Sequence, residues 1–561
     1  MNSLITKPGV HVLILLGAIA SFVFFQFFYP YHLFYQEQNQ LFLFSWDYIT
    51  TYLDKPGWLA CLTGDFLTQF YYYRYAGPTI LTLSILMAGY NVRCGVEDAD
   101  IKGTWIPYTI AIAVMTMLVC FSLHYDYRLS SIIAVAGGAN VFRFSTKILV
   151  STRMSIKKLE NQALRHTSID GTRLPQWITA VSIFISMLVC HWFFGCGMWI
   201  YAALVLLGCI KYINKPGNYT RLAAITIPLF IIILDKRLYF IDFHTLYTYP
   251  GLGKFVKPQM DLEKTLAADC EYYFGNYNKV VNMIEKDKEP NSYMKFYYNL
   301  ISAQGRSLPA VLLKFPSNNL GTFETLGPDT PPLTIKPLNE LYWILGDMTF
   351  CERAAMLANV CSPENRNIRM MKRLAEINLV KGDYDAARKY LRILQKTFVW
   401  SRWANRAFDA LDRKASSYDK ALLQQYIDKR PYLNTRDTLR LNDNCHTIMS
   451  ELMESNPNNN IAVNYMLCSD LLLKDMETFK HDYDAYYLKQ QNVTYEKLYQ
   501  EALAIYLAGT KAPTAEWAKY IKRQDVLQRF KLYNEQRGNP AFKDTYWYYF
   551  DKAEAPKLNN N

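Results

Sequence analysis

The sequence predicts an all-α protein in two parts: a polytopic helical membrane domain of about seven spans, and a tetratricopeptide-like helical domain in water. Of the 561 residues, 51% are hydrophobic and 15% aromatic, which is high for a soluble protein. The apolar residues are concentrated before about position 243, whereas later ones recur at the three- and four-residue spacing of amphipathic helices. We therefore assign residues 1–245 to the membrane domain and 259–561 to the soluble domain, with a Gly- and Pro-containing linker between them.

Seven stretches predict the membrane spans, since a spanning helix needs about 20 mostly apolar residues. They are residues 10–28, 72–91, 105–123, 129–150, 177–194, 197–213 and 219–242. The fourth contains Arg143 and Lys147, which share a helix face near one end and are expected to reach lipid phosphate. The seventh ends in Asp235, Lys236 and Arg237, so both of these spans depend on the charge pattern for support.

The distribution of positive residues predicts the topology. Residues 153–173 contain five Lys or Arg and two Asp or Glu, five minus two, or a net charge of +3. Cation-rich loops stay in the cytoplasm. With seven spans, this places the N-terminus in the cytoplasm and puts both the segment 29–75 and the soluble domain on the opposite side of the membrane.

The segment 29–75 lies between the first two predicted spans and is too apolar for an ordinary loop. Apolar residues recur at helical spacing from Leu41 to Tyr52 and again from Leu59 to Phe70. A helix-breaking Lys-Pro-Gly sequence separates the two runs. We expect two amphipathic helices lying on the bilayer surface, with acidic residues held among the apolar ones.

Polar residues on the predicted outer face form the candidate site. The candidate catalytic carboxylates are Glu37, Asp47 and Asp65, and the candidate substrate-binding residues are Arg74, His124, Asp126, Arg128, Lys236 and Arg237. A carboxylate beside cations suits deprotonation of a hydroxyl and binding of a phosphate. The alternative for each is a charge that anchors a helix end at the interface. Phosphate-binding glycine loops, H-E-x-x-H and G-x-S-x-G do not occur, so no metal site is assigned and a cofactor remains unknown.

Two similar motifs predict helical repeats in the soluble domain. Residues 274–280 and 381–387 each follow an apolar helix and open another, with a glycine before an aromatic residue. In tetratricopeptide repeats a small residue lets two helices approach closely, which is the role predicted for Gly382. The proline-rich stretch from Pro316 to Pro337 is expected to interrupt the repeats as an ordered excursion or lid. Such repeats serve as an assembly surface or, alternatively, bind a peptide.

The cysteines and the net charge argue against a disulfide-stabilised protein and against a nucleic-acid-binding protein. Eleven cysteines without a C-x-x-C pair argue against a disulfide framework, while pairing of Cys351 with Cys361 stays open. The formal charge of +12 comes from scattered Lys and Arg residues. Without a concentrated basic face, we expect no nucleic-acid partner.

Three stretches, GDFLTQFYYY, NELYWILGD and RMMKRLAEINLVKGDYDAARKYL, are similar to a family of uncharacterised multi-pass bacterial membrane proteins. The layout also resembles membrane glycosyltransferases that use polyprenyl-phosphate-linked sugars, some of which carry tetratricopeptide repeats after their spans. That resemblance implies a first-loop base, Glu37 or Asp47, and donor-phosphate contacts from Arg128, Lys236 or Arg237. It also implies the inner membrane of a bacterium, a periplasmic C-terminal domain, and membrane lipid as a partner.

Two functions follow as expectations. The first is transfer of a lipid-linked sugar or oligosaccharide to an acceptor on the outer face of the membrane. The second is a non-catalytic, membrane-anchored scaffold whose helical repeats recruit proteins of the cell envelope. Convergence of the outer-face polar residues favours the enzyme, and dispersal favours the scaffold.

Overall fold

The structure is a computed structural model that describes residues 7–101, 105–163, 176–210, 217–239, 241–305, 307–315, 323, 326–327, 329–412, 416–433 and 445–554. The chain divides into two compact units. The N-terminal unit is Met1–Met260 with Lys396–Val399, and the C-terminal unit is Asp261–Gln395 with Trp400–Asn561. All regular secondary structure in the described residues is helical. The prediction of an all-α protein is therefore confirmed for that part of the chain.

The described part of the N-terminal unit has eleven α-helices. They are α1 Lys7–Val23, α2 Tyr31–Gln38, α3 Trp46–Thr50, α4 Trp58–Thr68, α5 Ala76–Asp98, α6 Ile106–Phe121, α7 Leu129–Ala163, α8 Gln176–Phe194, α9 Met198–Ile210, α10 Gly217–Tyr239 and α11 Phe243–Thr248. A short π-helical stretch, Phe24–Phe28, extends α1, and a 3₁₀ turn at Gly195–Gly197 separates α8 from α9.

In the described part of the chain, four helical segments, not the predicted seven, are long and apolar enough to cross a membrane: Gly9–Phe28, Ala76–Asp98, Leu129–Thr152 and Trp177–Cys209. The predicted number of seven spans is wrong for three physical reasons. Helix α6 has 16 residues, about 24 Å at 1.5 Å per residue, against a hydrocarbon core of about 30 Å. Helices α8 and α9 belong to a single apolar segment of 33 residues. Helix α10 is long enough but carries charged residues at both ends.

Helix α7 organises the core of the N-terminal unit, where it contacts α4, α5, α8 and α9. Ile85 and Ala88 of α5 share a buried cluster with Ile132 of α7. Helix α4 approaches α7 at Gly64, where an added Cβ would lie 2.6 Å from the Ser130 Cα atom. Only glycine permits this approach, so Gly64 fixes where the loop helix α4 rests on α7.

The segment 29–75 differs from the two predicted amphipathic helices. Helix α2 was not predicted, and the first predicted helix starts only at Trp46, because residues 40–44 have no regular secondary structure. Leu41 and Phe42 are nevertheless buried, so their apolar spacing reflects packing of an irregular chain. The second predicted helix is present as α4 followed by a 3₁₀ turn at Gln69–Tyr72.

Arg143 is paired inside the helical bundle, which corrects the expectation that it reaches lipid phosphate. Its Nη1 donates to Asn91 Oδ1 at 2.9 Å, and its Nε lies 3.5 Å from Asp98 Oδ2. Charged residues in apolar helices are tolerated when they pair within the protein. The basic residues predicted to set the topology fall in 153–173, largely outside the residues whose side chains the structure describes.

The described part of the C-terminal unit has seventeen α-helices. They are α12 Met260–Tyr273, α13 Tyr277–Lys286, α14 Ser292–Gly305, α15 Leu308–Val311, α16 Pro332–Leu345, α17 Met348–Cys361, α18 Ile368–Lys381, α19 Tyr384–Leu394, α20 Ser401–Ala410, α21 Ser417–Ile427, α22 Cys445–Ser455, α23 Asn460–Leu473, α24 Met476–Ala485, α25 Lys497–Gly509, α26 Thr514–Tyr520, α27 Gln524–Glu535 and α28 Tyr546–Lys552.

Four turns between these helices share one design: a residue with left-handed backbone followed by Asn or Asp. The left-handed residues are Gly275, Gly346, Gly382 and Lys474, with φ of 76°, 85°, 81° and 59°. After three of these residues, an Asp at the N-cap accepts a hydrogen bond from a backbone N–H of the next helix. Two of the four turns lie at the predicted motifs, while assignment of the unit to the tetratricopeptide class stays a prediction.

Replacement of Gly346 by Ala is expected to destabilise the protein more than the same change at Gly382. Both positions need φ above +80°, which costs an alanine about 1 kcal/mol. At Gly346 the new Cβ would also lie 2.4 Å from the Tyr432 carbonyl oxygen, whereas at Gly382 it lies 3.3 Å from the side-chain guanidinium of Arg430. We expect Gly346→Ala to cost about 1 kcal/mol more in thermal unfolding than Gly382→Ala. Equal losses would contradict the close contact with Tyr432.

Two expectations for the C-terminal unit need correction. The proline-rich excursion ends earlier than predicted, because Pro332–Leu345 is helical with Pro337 inside it; residues 316–322, 324–325 and 328 lie outside the described part. Cys351 and Cys361 cannot pair, because they lie ten positions apart on the single helix α17, about 15 Å along its axis. All eleven cysteines are free thiols.

Candidate functional site

A layer of short helices and loops covers one set of helix ends in the N-terminal unit. We call residues 29–75, 122–128, 191–197 and 249–259 the helix-end layer. Tyr29 ties three parts of it together, since its hydroxyl donates to the Leu123 carbonyl at 3.1 Å and accepts from the Gln259 N–H at 3.2 Å. Burial lowers the pKa of His32 to about 3, although hydrogen bonding with the backbone of Tyr29 and Ser122 acts to raise it. The layer therefore contains a neutral, enclosed imidazole.

Helix α2 joins the first loop to residues 122–128. The Gln36 Nε2 group donates to the carbonyls of Tyr125 and Tyr127 at 3.0 and 3.1 Å. Glu37, the next residue, is 3% exposed, and it raises the pKa of Tyr72 together with the burial of that tyrosine. The structure thus places one candidate base, Glu37, inside the layer, beside the predicted substrate-binding loop but covered by protein.

Asp65 on α4 lies close to the end of α2 and at the end of a hydrogen-bonded chain. Gln40 Nε2 donates to the Asp65 carbonyl at 3.1 Å. The Asp65 Oδ2 atom accepts from the Tyr52 hydroxyl at 2.8 Å, and Tyr52 lies 2.9 Å from the Tyr48 hydroxyl. Burial and the Asp65 carboxylate raise the pKa of Tyr52, which keeps this hydroxyl protonated as a donor. Asp65 is partly exposed, unlike Glu37.

Asp47 and Arg74 lie at the exposed edge of the layer. Asp47 is in the first turn of α3, between the exposed Trp46 and the buried Tyr48. Arg74 is exposed, with its guanidinium 5.9 Å from the ring of its neighbour Tyr75. Both positions fit anchoring at an interface.

His124, Asp126 and Arg128 lie together in the loop after α6. The Asp126 N–H donates to His124 Nδ1 at 3.2 Å. Desolvation raises the pKa of Asp126, although His124 and Arg128 favour its charged form. The loop therefore brings a carboxylate, an imidazole that accepts a hydrogen bond at Nδ1, and the Arg128 guanidinium next to α2.

The residues at the end of α10 have other neighbours. Asp235 Oδ2 lies 3.8 Å from His191 Nε2 of α8, and Lys236 lies 3.8 Å from the centre of the Phe243 ring. Arg237 is exposed. The Gly57 N–H donates to the carbonyls of His191 and Trp192, so the first loop also rests on this region, through its Lys-Pro-Gly turn rather than its carboxylates.

A second polar site, in the C-terminal unit, was missed by the sequence reasoning. Arg369 is 2% exposed and donates to both carboxylate oxygens of Asp269 at 2.9 and 2.8 Å. It also donates to Glu340 at 2.9 Å, and Glu340 accepts from Arg373 at 2.5 Å. Arg369, Arg373 and Glu376 share one face of α18, where apolar residues would be usual. Charged residues at core positions of that helix were the signal available in the sequence.

This buried network forms one wall of a cavity of about 180 Å³. The lining residues are Tyr272, Tyr273, Tyr277, Gln304, Glu340, Trp343, Ile344, Arg369, Lys372, Arg373, Glu376 and Lys429. They come from five helices and the turn after α21. No group of three or more His, Cys, Asp or Glu residues suited to a metal ion occurs in the described parts of the chain.

The fold and the helix-end layer define an all-helical protein whose N-terminal unit has helices suited to a membrane. The chain belongs to DUF6057, a family of unknown function whose sequence model matches residues 5–553. That match covers both units. No curated protein and no solved structure matches the chain.

Proposed function

We propose that the helix-end layer transfers a lipid-linked sugar or oligosaccharide to an acceptor, as in the membrane glycosyltransferases whose layout this chain resembles. The observation that carries the proposal is the bonding of Gln36 to residues 125 and 127. It brings first-loop carboxylates and loop cations into one layer at the ends of apolar helices. A lipid-linked donor would present its phosphate at this depth, where lipid headgroups lie.

Exposure favours Asp65 over Glu37 as the base. A base must come within about 2.6–3.2 Å of the hydroxyl that it deprotonates. Glu37 is 3% exposed, while Asp65 is partly exposed and oriented by Tyr52. Asp65 takes the acceptor proton, the acceptor oxygen bonds to the anomeric carbon, and the bond from that carbon to the phosphate oxygen breaks. His124 and Arg128 stabilise the departing phosphate, and Glu37 positions α2.

In this proposal the N-terminus is cytoplasmic, and the helix-end layer and the C-terminal unit are periplasmic, in a bacterial inner membrane. Helix α7 begins at the layer, and the positive residues of 153–173 begin at its other end; because cation-rich segments stay in the cytoplasm, they support a layer on the opposite side of the membrane. Helix α1 ends at the layer, so the same argument supports a cytoplasmic N-terminus. Membrane lipid and a polyprenyl-phosphate-linked sugar are the partners. Recruitment of an envelope protein by the helices of the C-terminal unit is the second role in this proposal.

The variant Asp65→Asn tests the proposed base. It keeps the acceptor for the Tyr52 hydroxyl but cannot take a proton, so we expect it to fold and to lose about 10²-fold or more in sugar transfer. The measurement is envelope glycosylation in cells that lack the native gene and carry each variant. Asp47→Asn is the control, because it removes an exposed carboxylate from the same segment.

Three outcomes separate the alternatives. Loss with Asp65→Asn but not with Asp47→Asn supports Asp65 as the base. Loss with Glu37→Gln alone would move that role to Glu37. If deletion of the gene changes the envelope while every carboxylate variant restores it, the layer is not catalytic, and a membrane-anchored scaffold explains the phenotype.

A further inference from the structure

The cavity of the C-terminal unit has more positive than negative charge in its walls. Four lining residues are cationic, Arg369, Lys372, Arg373 and Lys429, and two are anionic, Glu340 and Glu376, four minus two, or a formal charge of +2. Lys336 and Asp269, which are also buried, interact with each other and have opposite formal charges, so they do not change this sum. Buried charge without a counter-charge is costly, so the cavity favours a negatively charged occupant.

The two arginines are largely engaged by protein carboxylates, whereas Lys429 is not. Arg369 bonds Asp269 and Glu340, and Arg373 bonds Glu340 and Asn339. Lys429 Nζ lies 4.8 Å from the centre of the Trp343 ring and makes no hydrogen bond or ion pair with a carboxylate in the described part of the chain. Burial, together with repulsion from Arg373, lowers the pKa of Lys429. The attraction of a bound anion for the Lys429 ammonium would oppose both effects.

The remaining walls suit an organic body rather than a bare ion. Tyr272, Tyr273, Tyr277 and Trp343 supply aromatic surface. Gln304 Nε2 donates to the Tyr272 hydroxyl at 2.8 Å, which fixes polar groups at the cavity wall. A volume of about 180 Å³ corresponds to roughly six waters at about 30 Å³ each, the size class of one sugar ring. Aromatic walls with a few fixed polar groups are typical of small-molecule sites.

We propose that this cavity binds a small organic oxyanion, with its carboxylate or phosphate group at Lys429 and its sugar-sized body against the aromatic side chains. The site lies wholly within the C-terminal unit. Its occupancy does not depend on sugar transfer at the helix-end layer, so the two proposals fail independently.

Calorimetric titration of the purified full chain in detergent tests the site. The probes are glucuronate for a carboxylate, glucose 6-phosphate for a phosphate, glucose as the neutral analogue and inorganic phosphate as the bare anion. We expect at least one anionic sugar to bind with a Kd of about 1 mM or below, and glucose and inorganic phosphate to bind at least about tenfold more weakly. The better anionic sugar identifies the oxyanion.

Variants locate the bound anion. Lys429→Met keeps the stem and removes the charge, and we expect about tenfold weaker binding. Lys429→Arg should keep most of the affinity, which separates loss of charge from loss of folding. Lys420→Met is the control, because Lys420 is an exposed lysine on the neighbouring α21.

Several results would overturn the proposal. One is the absence of binding by either anionic sugar at about 10 mM. Another is glucose binding as tightly as the anionic sugars, which would show that the charged residues do not contribute. Equally tight binding of inorganic phosphate would show that the aromatic side chains do not contribute. An unchanged affinity in Lys429→Met would place the bound anion elsewhere.

Discussion

Replacement of Arg369 by Met is expected to cost about 3–5 kcal/mol of unfolding free energy, the loss typical of a broken buried ion pair. The guanidinium is 2% exposed and pairs with Asp269 and Glu340, whose side chains are 6% and 5% exposed. Met fills a similar volume but leaves both carboxylates without their shared cation. In the native protein, desolvation raises the pKa of Asp269, but the nearby cations Arg369 and Lys336 lower it by a larger amount, so the net shift is downward.

The pH dependence identifies the cause of the loss. Without Arg369, only Lys336 and the Tyr297 hydroxyl still favour the charged Asp269 carboxylate. We expect burial, the largest contribution, to raise the pKa of Asp269 above its unfolded value, so that the folded variant binds a proton more readily than the unfolded chain. Its stability therefore rises as pH falls. We expect the deficit in thermal unfolding of the full chain to be larger at pH 7 than at pH 5.

The exposed ion pair of Arg388 provides the matched control. Its Nη1 lies 3.2 Å from Asp385, whose side chain is 98% exposed. Arg388→Met should cost less than about 1 kcal/mol, because water screens an exposed pair. Similar losses for Arg369→Met and Arg388→Met would show that the buried network contributes no more than a surface pair.

Local sequence patterns were sufficient to predict a helix and its turn where neighbouring residues determine both. The stretch around Gly382 was located by its likeness to residues 274–280, with the glycine predicted to let two helices approach closely. The structure instead shows a capping rule: Gly382 is a left-handed C-cap and Asp383 is the following N-cap. The turn at Gly346 and Asp347 has the same chemistry and was readable by the same rule. The turn at Lys474 was not, since there a lysine takes the left-handed conformation.

Features that depend on distant residues could not be read in this way. Asp269 and Arg369 are 100 positions apart, and nothing local to either predicts their pairing. The irregular stretch 40–44 was predicted as part of a helix because buried residues in an irregular chain can mimic helical spacing. The predicted number of spans was too high because some helices, such as α6, are apolar enough to cross a membrane but too short.

Asp470 is expected to make the protein less stable as pH rises from about 4 to 8. This residue of α23 is 5% exposed, and its Oδ2 atom has no hydrogen-bond partner in the described part of the chain. Burial, followed by repulsion from Asp482, raises the pKa of Asp470 to about 8, although His446 opposes the shift. A carboxyl with a raised folded pKa binds its proton more tightly when folded, so its ionisation at higher pH opposes folding.

His446 changes stability in the same direction. Its Nε2 lies 2.6 Å from Asp482 Oδ2, and this hydrogen bond raises the pKa of His446 above its ordinary value. A raised histidine pKa gives stability that is present at low pH and is lost as pH rises through the folded pKa. Both groups therefore predict a decline in stability as pH rises through neutrality.

The variant Asp470→Asn should be more stable than the native protein by on the order of 3 kcal/mol at pH 8, and no more stable at pH 4. Asparagine resembles the protonated carboxyl and cannot ionise, so the variant escapes the cost of a buried charge. The measurement is thermal unfolding of the full chain across this pH range, with Asp385→Asn as a control on an exposed carboxylate. A stability difference that does not change with pH would mean that Asp470 titrates normally in the folded protein. A loss of stability at pH 8 would show that its charge has a partner that asparagine cannot replace.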